Sequence, residues 1–309
     1  MEKLDLLDYK TKEKAIAGYT HNLPNEPEMS DFDSAFLCGL LEKYRPQKIV
    51  EVGVAAGGTT GIIIEKLKDR YDEINMYSCD LNEQFYLNEK VEGGNRKSGF
   101  LAEDIIRYSN VKHRFMLGNY LPTFLDEIGQ EIDFLILDTV HYMPGELLDF
   151  LAVMPFLKDG AIVVLHDVRF NLINARSSDG MATNVLFSTV VANKIYNGLV
   201  EDGGKIYANI AAFIVTSDTK KYIDNVFQAL FIPWYFPVDD NEKHIYSTWY
   251  KRYYKDEYTK LFEYAVNKQN ALLSTKSNCV RAIFRQIRNG DPVLSMLYKL
   301  YRRLSLIRK

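Results

Sequence analysis

The chain has 309 residues, 47% of them hydrophobic and 26% charged, with only nine prolines, so it can bury a sizeable core. A formal net charge of −3 excludes a general attraction to nucleic acid, and three scattered cysteines (Cys38, Cys79 and Cys279) exclude a disulfide framework or a cysteine-built zinc site. No run of about 18 apolar residues is present, and the charged start MEKLDLLDYKTKEK lacks an apolar leader, so a reducing, cytoplasmic setting is expected.

Residues 1–29 read as an N-terminal extension. From 31 to 43, Phe32, Ala35, Phe36, Gly39 and Leu40 recur at helical spacing behind a cap at Ser30 or Asp31, and Pro46 closes the unit. The apolar stretch KIVEVGV then predicts a strand, followed by a glycine turn and a helix over TTGIIIEKLKDRY. Further strands are predicted at 76–81, 111–118, 133–140, 161–168 and 210–216, with helical stretches LPTFLDEI and PGELLDFLAVMPFLK between them. Strands alternating with helices imply an α/β fold, a Rossmann-like, doubly wound and mostly parallel sheet over residues 30–217. FLIL and AIVVL are continuous apolar runs, as strands covered on both faces require.

The stretch after 168 begins polar, with Ser177, Ser178, Asp179 and Gly180, and reads as a loop or lid over the strand ends. Residues 218–309 read as a helical, aromatic-rich extension. Its aromatic density fits core packing or a homo-oligomer interface; alternatively Trp234, Tyr235, Trp249 and Tyr250 offer rings that stack on sugar faces. The last 29 residues carry Arg281, Arg285, Arg288, Lys299, Arg302, Arg303, Arg308 and Lys309 against Asp291, with Leu294, Leu297, Leu300, Leu304 and Ile307 at helical spacing. This basic amphipathic helix docks on its own domain or makes peripheral contact with a membrane surface.

In an open α/β sheet a ligand sits outside the carboxyl ends of the strands, where residues 53–60 leave the first strand. Glycines at 53, 57 and 58 permit close backbone approach, in a G-x-x-x-G-G pattern that departs from the dinucleotide G-x-G-x-x-G. Glu51 before the turn would repel an anion, which favours a cationic or zwitterionic ligand. Asp80, 22 positions after Gly58, is placed at the end of the second strand to accept hydrogen bonds from ribose hydroxyls. Asp138 and Asp167 end neighbouring strands behind apolar runs, accompanied by His141 and His166, two of the chain's five histidines. Carboxylates and imidazoles at one crevice are the equipment for general acid–base chemistry.

EVGVAAGGTT with Asp80, together with the segment from FMLGNYLPTFLDEI to AIVVLHDV, resembles class I S-adenosylmethionine-dependent methyltransferases, in the branch of small-molecule and sugar O-methyltransferases and cephalosporin-hydroxylase-like proteins. The resemblance covers roughly residues 30–170. It implies transfer of a methyl group from S-adenosylmethionine to a hydroxyl of a small-molecule or glycan acceptor. It also implies that Glu51, Gly53, Gly57 and Thr59 line the methionine part of the cofactor, that Asp80 binds the ribose, and that Asn119 lies near the adenine. Metal-dependent relatives imply a divalent cation, Mg²⁺ or Mn²⁺, on Asp138, His166 and Asp167, with the nitrogen ligand favouring Mn²⁺. A metal-free base drawn from His141, His166 or an aspartate is the other reading of the same residues. Arg169, Asn171, Asn174, Arg176 and Asp179 follow the H-D pair and are candidates for acceptor contacts. A binding or scaffold protein that keeps the nucleotide fold without turnover is the alternative from another class. A nicotinamide oxidoreductase and a nucleic-acid methyltransferase fit the motifs less well.

Overall fold

A computed structural model describes residues 29–70, 72–87, 94–169, 181–196, 200–202, 205–207 and 209–288, with 196, 200–202, 205–207 and 276–288 given as backbone alone. The residues read as N-terminal extension before Met29, the Ser177 to Gly180 loop with Asn171, Asn174, Arg176 and Asp179, and the basic tail beyond 288 lie outside the described residues; the Arg281, Arg285 and Arg288 side chains do too.

Helix α1 (Asp31–Tyr44) starts where Ser30 Oγ accepts the Asp33 N–H at 3.2 Å, and its buried stripe includes Phe36, Leu37, Leu40 and Leu41. Strand β1 (Lys48–Val52) leads through the glycine turn into α2 (Gly58–Leu67), and β2 (Asn75–Asp80) and α3 (Glu103–Arg107) follow. The chain continues with β3 (Lys112–Leu117), α4 (Pro122–Ile128), β4 (Ile132–Leu137), α5 (Gly145–Val153) and β5 (Leu157–Leu165). Beyond them come α6 (Ala182–Thr189), β6 (Asn193–Tyr196), the ribbon β7 (Val200–Asp202) with β8 (Lys205–Tyr207), and β9 (Ala211–Ile214). Helices α7 (Ser217–Lys221), α8 (Asp224–Ala229), α9 (Asp240–Tyr253) and α10 (Asp256–Arg288) complete the described chain.

Seven strands form one sheet in the order β3-β2-β1-β4-β5-β9-β6, with β1 to β5 parallel and β9 antiparallel to both of its neighbours. The expected Rossmann-like, mostly parallel sheet is therefore present. Strand order reverses between β1 and β4, which places the crevice of a doubly wound sheet at their carboxyl ends. The structure adds β6, which the sequence hides because NKIY alternates too briefly to announce a strand.

Alternation along each strand sorts the core into two layers. Phe134, Ile136, Ile162 and Val164 face α1 and α2, whereas Leu135, Leu137, Val163 and Leu165 join a larger cluster with α5, α6 and the C-terminal helices. Trp234, Trp249 and Tyr250 belong to that larger cluster and are 2%, 4% and 0% exposed. Core packing thus accounts for these three rings, and of the four candidates for sugar stacking Tyr235 alone is exposed, at 50%. No described helix is long and apolar enough to cross a membrane.

Candidate active site

The strand ladder runs one step past the strand ends: Gly53 N–H donates to Cys79 O at 2.9 Å, Asp138 N–H to Val52 O at 2.9 Å, and His166 N–H to Leu137 O at 3.2 Å. Asp80, Gly53, Asp138 and His166 consequently stand in register along one carboxyl edge.

The glycine turn is held from inside the chain. Asp80 Oδ2 accepts the N–H groups of Val54 and Ala55 at 2.9 and 3.1 Å, and Oδ1 accepts that of Asn82 at 2.8 Å. A carboxylate has about four acceptor sites, so one is left for a ligand hydroxyl. Gly53 has φ +93°, and a Cβ there would lie 1.8 Å from Asp138 O. Gly57, with φ +94°, would bring a Cβ to 2.7 Å from the Gly99 Cα. Both glycines allow backbone to approach backbone, a closer neighbour than the ligand their pattern suggests. Gly57 also caps α2, with Thr59 half-buried in its first turn.

Glu51 is wholly enclosed, and its Oε2 accepts hydrogen bonds from Thr60 and Ser78, both at 2.6 Å. Burial pushes its carboxyl up to about 7 against those two hydroxyls, so near neutrality it is not the fixed anion that its place before the turn suggests. Glu51 ties β1 to α2 and β2. Asn119, at the exposed end of β3, uses its Oδ1 to accept the Tyr120 N–H at 2.9 Å.

At the ends of β4 and β5 four ionisable groups converge. His141 Nε2 lies 3.1 Å from Asp167 Oδ2, and His166 Nδ1 lies 3.1 Å from Asp138 Oδ1 and 3.6 Å from Asp167 Oδ2. His141 and Asp167 adopt left-handed backbone, with φ 65° and 56°, which turns their side chains back over the strand ends. Burial would raise the Asp138 carboxyl, yet the charges of His166 and then His141 outweigh it and hold the group below its ordinary value. Burial likewise works against a charged His166, but Asp138, Asp33 and Asp167 lift its imidazole well above the usual histidine range.

One ligand atom each from Asp138, His141 and Asp167 lie within 4.8 Å of one another, the spacing of a cation site. The expected set had His166 in place of His141. In the structure His166 sits between two acids, with Asp138 on Nδ1 and Asp33 Oδ2 3.7 Å from Nε2. Its ring braces the cluster, while His141 turns Nε2 towards Asp167.

Three contributors escape a reading of motifs. Asp33 reaches His166 from α1, its sequence role being indistinguishable from an ordinary first-turn acid. Glu146, in the first turn of α5, accepts the N–H groups of Thr139 at 3.2 Å and His141 at 2.8 Å and so fixes the loop; burial raises its carboxyl despite the nearby His141. Its one signal is an acid inside the apolar run PGELLDFL. Asn209 donates from Nδ2 to Asp167 Oδ1, and its Oδ1 accepts the Arg169 N–H at 3.0 Å.

Residues 50–168 match the family described as a methyltransferase domain. The match spans less than half of the chain and includes the glycine turn and the ends of β1 to β5. The motifs that carry the resemblance, from the glycine turn to the H-D pair, all lie within that match or at its edge. No curated protein matches the chain in sequence. Among solved structures, the chain is similar to the O-methyltransferase TomG from Streptomyces achromogenes in complex with SAM. That similarity has 16% identity, covers 67% of this chain and 89% of that one, and gives a TM-score of 0.45. An O-methyltransferase from Bacillus cereus in complex with SAH is similar at 16% identity, over 66% of this chain and 89% of that one, with a TM-score of 0.40. Cofactor-bound Rv0187 from MTB is similar at 18% identity, over 67% and 88% of the two chains, with a TM-score of 0.42.

Proposed function

We propose that the protein is a methyltransferase that uses S-adenosylmethionine to methylate a hydroxyl of a small molecule or a sugar. The observation that carries this reading is the convergence of Asp138, His141 and Asp167 at the carboxyl ends of β4 and β5, beside the glycine turn of a methyltransferase domain. When bound, the cofactor supplies an electrophilic methyl group on a sulfonium, displaced in line by the acceptor oxygen. The chain fits it: Asp80 keeps one acceptor site for a ribose hydroxyl, and Glu51, Gly53, Gly57 and Thr59 surround the turn on which the methionine part would rest, with Asn119 towards the adenine.

His141 is the proton acceptor in this reading. Its Nδ1 is buried and 3.7 Å from Glu146 Oε1, so Nε2 is the nitrogen an acceptor hydroxyl meets. Asp167, 3.1 Å away, stabilises the imidazolium that forms, so the positive charge that leaves the sulfonium reappears beside a carboxylate. His166 holds Asp138 in place. In the alternative form of the reading, the two oxygens and one nitrogen of Asp138, His141 and Asp167 would hold a divalent cation, Mn²⁺ better than Mg²⁺, which would lower the pKa of a bound hydroxyl in place of a His141 base.

Calorimetric titration of the full chain with S-adenosylmethionine and S-adenosylhomocysteine, first without and then with Mg²⁺ or Mn²⁺, tests the proposal. Micromolar binding is expected, and a change on adding the metal assigns the cation. Absence of binding under every condition would remove methyl transfer and favour a scaffold role.

A further inference from the structure

The well of acids and imidazoles has an apolar rim that the transfer of a methyl group does not itself require. Val140, beside His141, is 45% exposed, and Tyr235 is 50% exposed. Tyr235 comes from the C-terminal region, yet its backbone N–H donates to Met143 O at 3.0 Å. Its ring stacks on that of Tyr142 with centroids 4.3 Å apart and planes 20° from parallel. Tyr142 directly follows the proton acceptor His141, so the ring pair begins one residue from the reacting position.

The base of this pair is fixed. Trp234, next to Tyr235, is buried, with Nε1 donating to Leu230 O at 2.9 Å and its own N–H directed to Gln269 Oε1. A half-exposed ring on a pinned backbone loses little freedom when a ligand covers it, which is what makes a stacking surface effective. Tyr142 stacks on one face of Tyr235, Phe236 stands at 88° to it with centroids 6.4 Å apart, and half of the Tyr235 surface stays exposed.

Resting on the methyl-transfer reading, we infer that Tyr235, backed by Tyr142, is the wall against which the acceptor lies, and that the acceptor is a hydroxylated ring with a flat apolar face. An open-chain alcohol would use the polar well and leave the rim bare. A phenol and a pyranose share the required chemistry, a hydroxyl at the edge of a ring whose face carries C–H or π surface.

The test uses the full chain as wild type, Tyr235→Ala and Tyr235→Phe, each saturated with S-adenosylhomocysteine, and three probes: 4-nitrocatechol, methyl β-glucopyranoside and propane-1,2-diol. Saturation-transfer NMR titrations give the affinities, and calorimetry gives S-adenosylhomocysteine binding separately. One ring probe should bind better than the diol and lose about tenfold in affinity in Tyr235→Ala, the scale of one well-placed aromatic contact, while staying within about twofold in Tyr235→Phe. Whichever ring responds distinguishes the phenol from the sugar. Equal binding of all three probes, or wild-type affinity in Tyr235→Ala, would overturn the assignment. Should S-adenosylhomocysteine fail to bind while a ring probe still depends on Tyr235, the wall stands and methyl transfer falls.

Discussion

At the β1 and β2 ends of the sheet, the acids are answered by fixed donors: Asp80 by three backbone N–H groups and Glu51 by two hydroxyls. At the β4 and β5 ends, a few residues along the same edge, Asp138 and Asp167 are answered chiefly by imidazoles, groups that can take up or give away a proton. Backbone amides cannot change their charge, so the first half of the edge is a framework. In the proposed reaction, the second half is where the acceptor's proton goes. The difference lies in the partners, since both halves present carboxylates.

Asp167→Ala gives the sharpest test of that division. Turnover on an accepted hydroxyl, followed as release of S-adenosylhomocysteine, should fall about a thousandfold, with cofactor affinity kept within about twofold. Wild-type turnover in this variant would abolish the distinction. Gly53→Ala attacks the seam between the halves, because the new methyl would sit 1.8 Å from Asp138 O at a left-handed φ. A loss of about 3 kcal/mol or more in unfolding free energy is expected by denaturant titration. Ser78→Ala probes the framework side, leaving buried Glu51 with Thr60 as its remaining hydroxyl donor. Stability should drop by about 1–3 kcal/mol while turnover changes little. A large drop in turnover with unchanged stability would move Glu51 into the reactive half.

A further effect is spread over a pH window. Burial raises the carboxyl of Asp149, on α5, from 3.8 to about 7, partly opposed by the Tyr246 hydroxyl that donates to it at 2.7 Å. A raised folded-state value means that its contribution to stability is complete below 3.8 and is lost as the pH rises through about 7. Asp149→Asn should therefore gain stability relative to wild type as the pH rises through that window, seen in denaturation midpoints. A constant difference between the two proteins would show that Asp149 does not titrate abnormally.

Much of this edge was readable before any coordinates. Apolar runs ending in Asp80, Asp138 and His166-Asp167 marked strand ends, because strands buried on both faces tolerate polar residues only where they stop. The glycines at 53 and 57 were equally visible, but a pattern cannot say what approaches so closely, and here it is Asp138 O and Gly99. Asn209 lies 42 positions from Asp167, and Asp33 belongs to a helix whose local pattern explains it without the site. Such long-range partners are fixed by topology, and β6, whose place beside β9 completes that topology, gave too short a signal. The exchange of His166 for His141 in the cation-spaced group has the same origin: spacing brings both histidines to the crevice, and the left-handed turn at His141 decides which one faces Asp167.

Three side chains of α9 and the residue that follows it grip the far end of α5: Trp249 Nε1 donates to Ala152 O at 2.9 Å, Tyr250 Oη to Leu148 O at 3.1 Å, and Tyr254 Oη to Leu151 O at 2.7 Å. The Leu151 and Ala152 carbonyls stand at the unpaired end, and that of Leu148 one turn earlier, in the helix whose opening turn, through Glu146, sets the His141 loop. The C-terminal helices are thus no detachable accessory to be traded between relatives as a specificity cassette. Any exchange of that region must carry the aromatic grip with it, or α5 and the His141 loop lose their support.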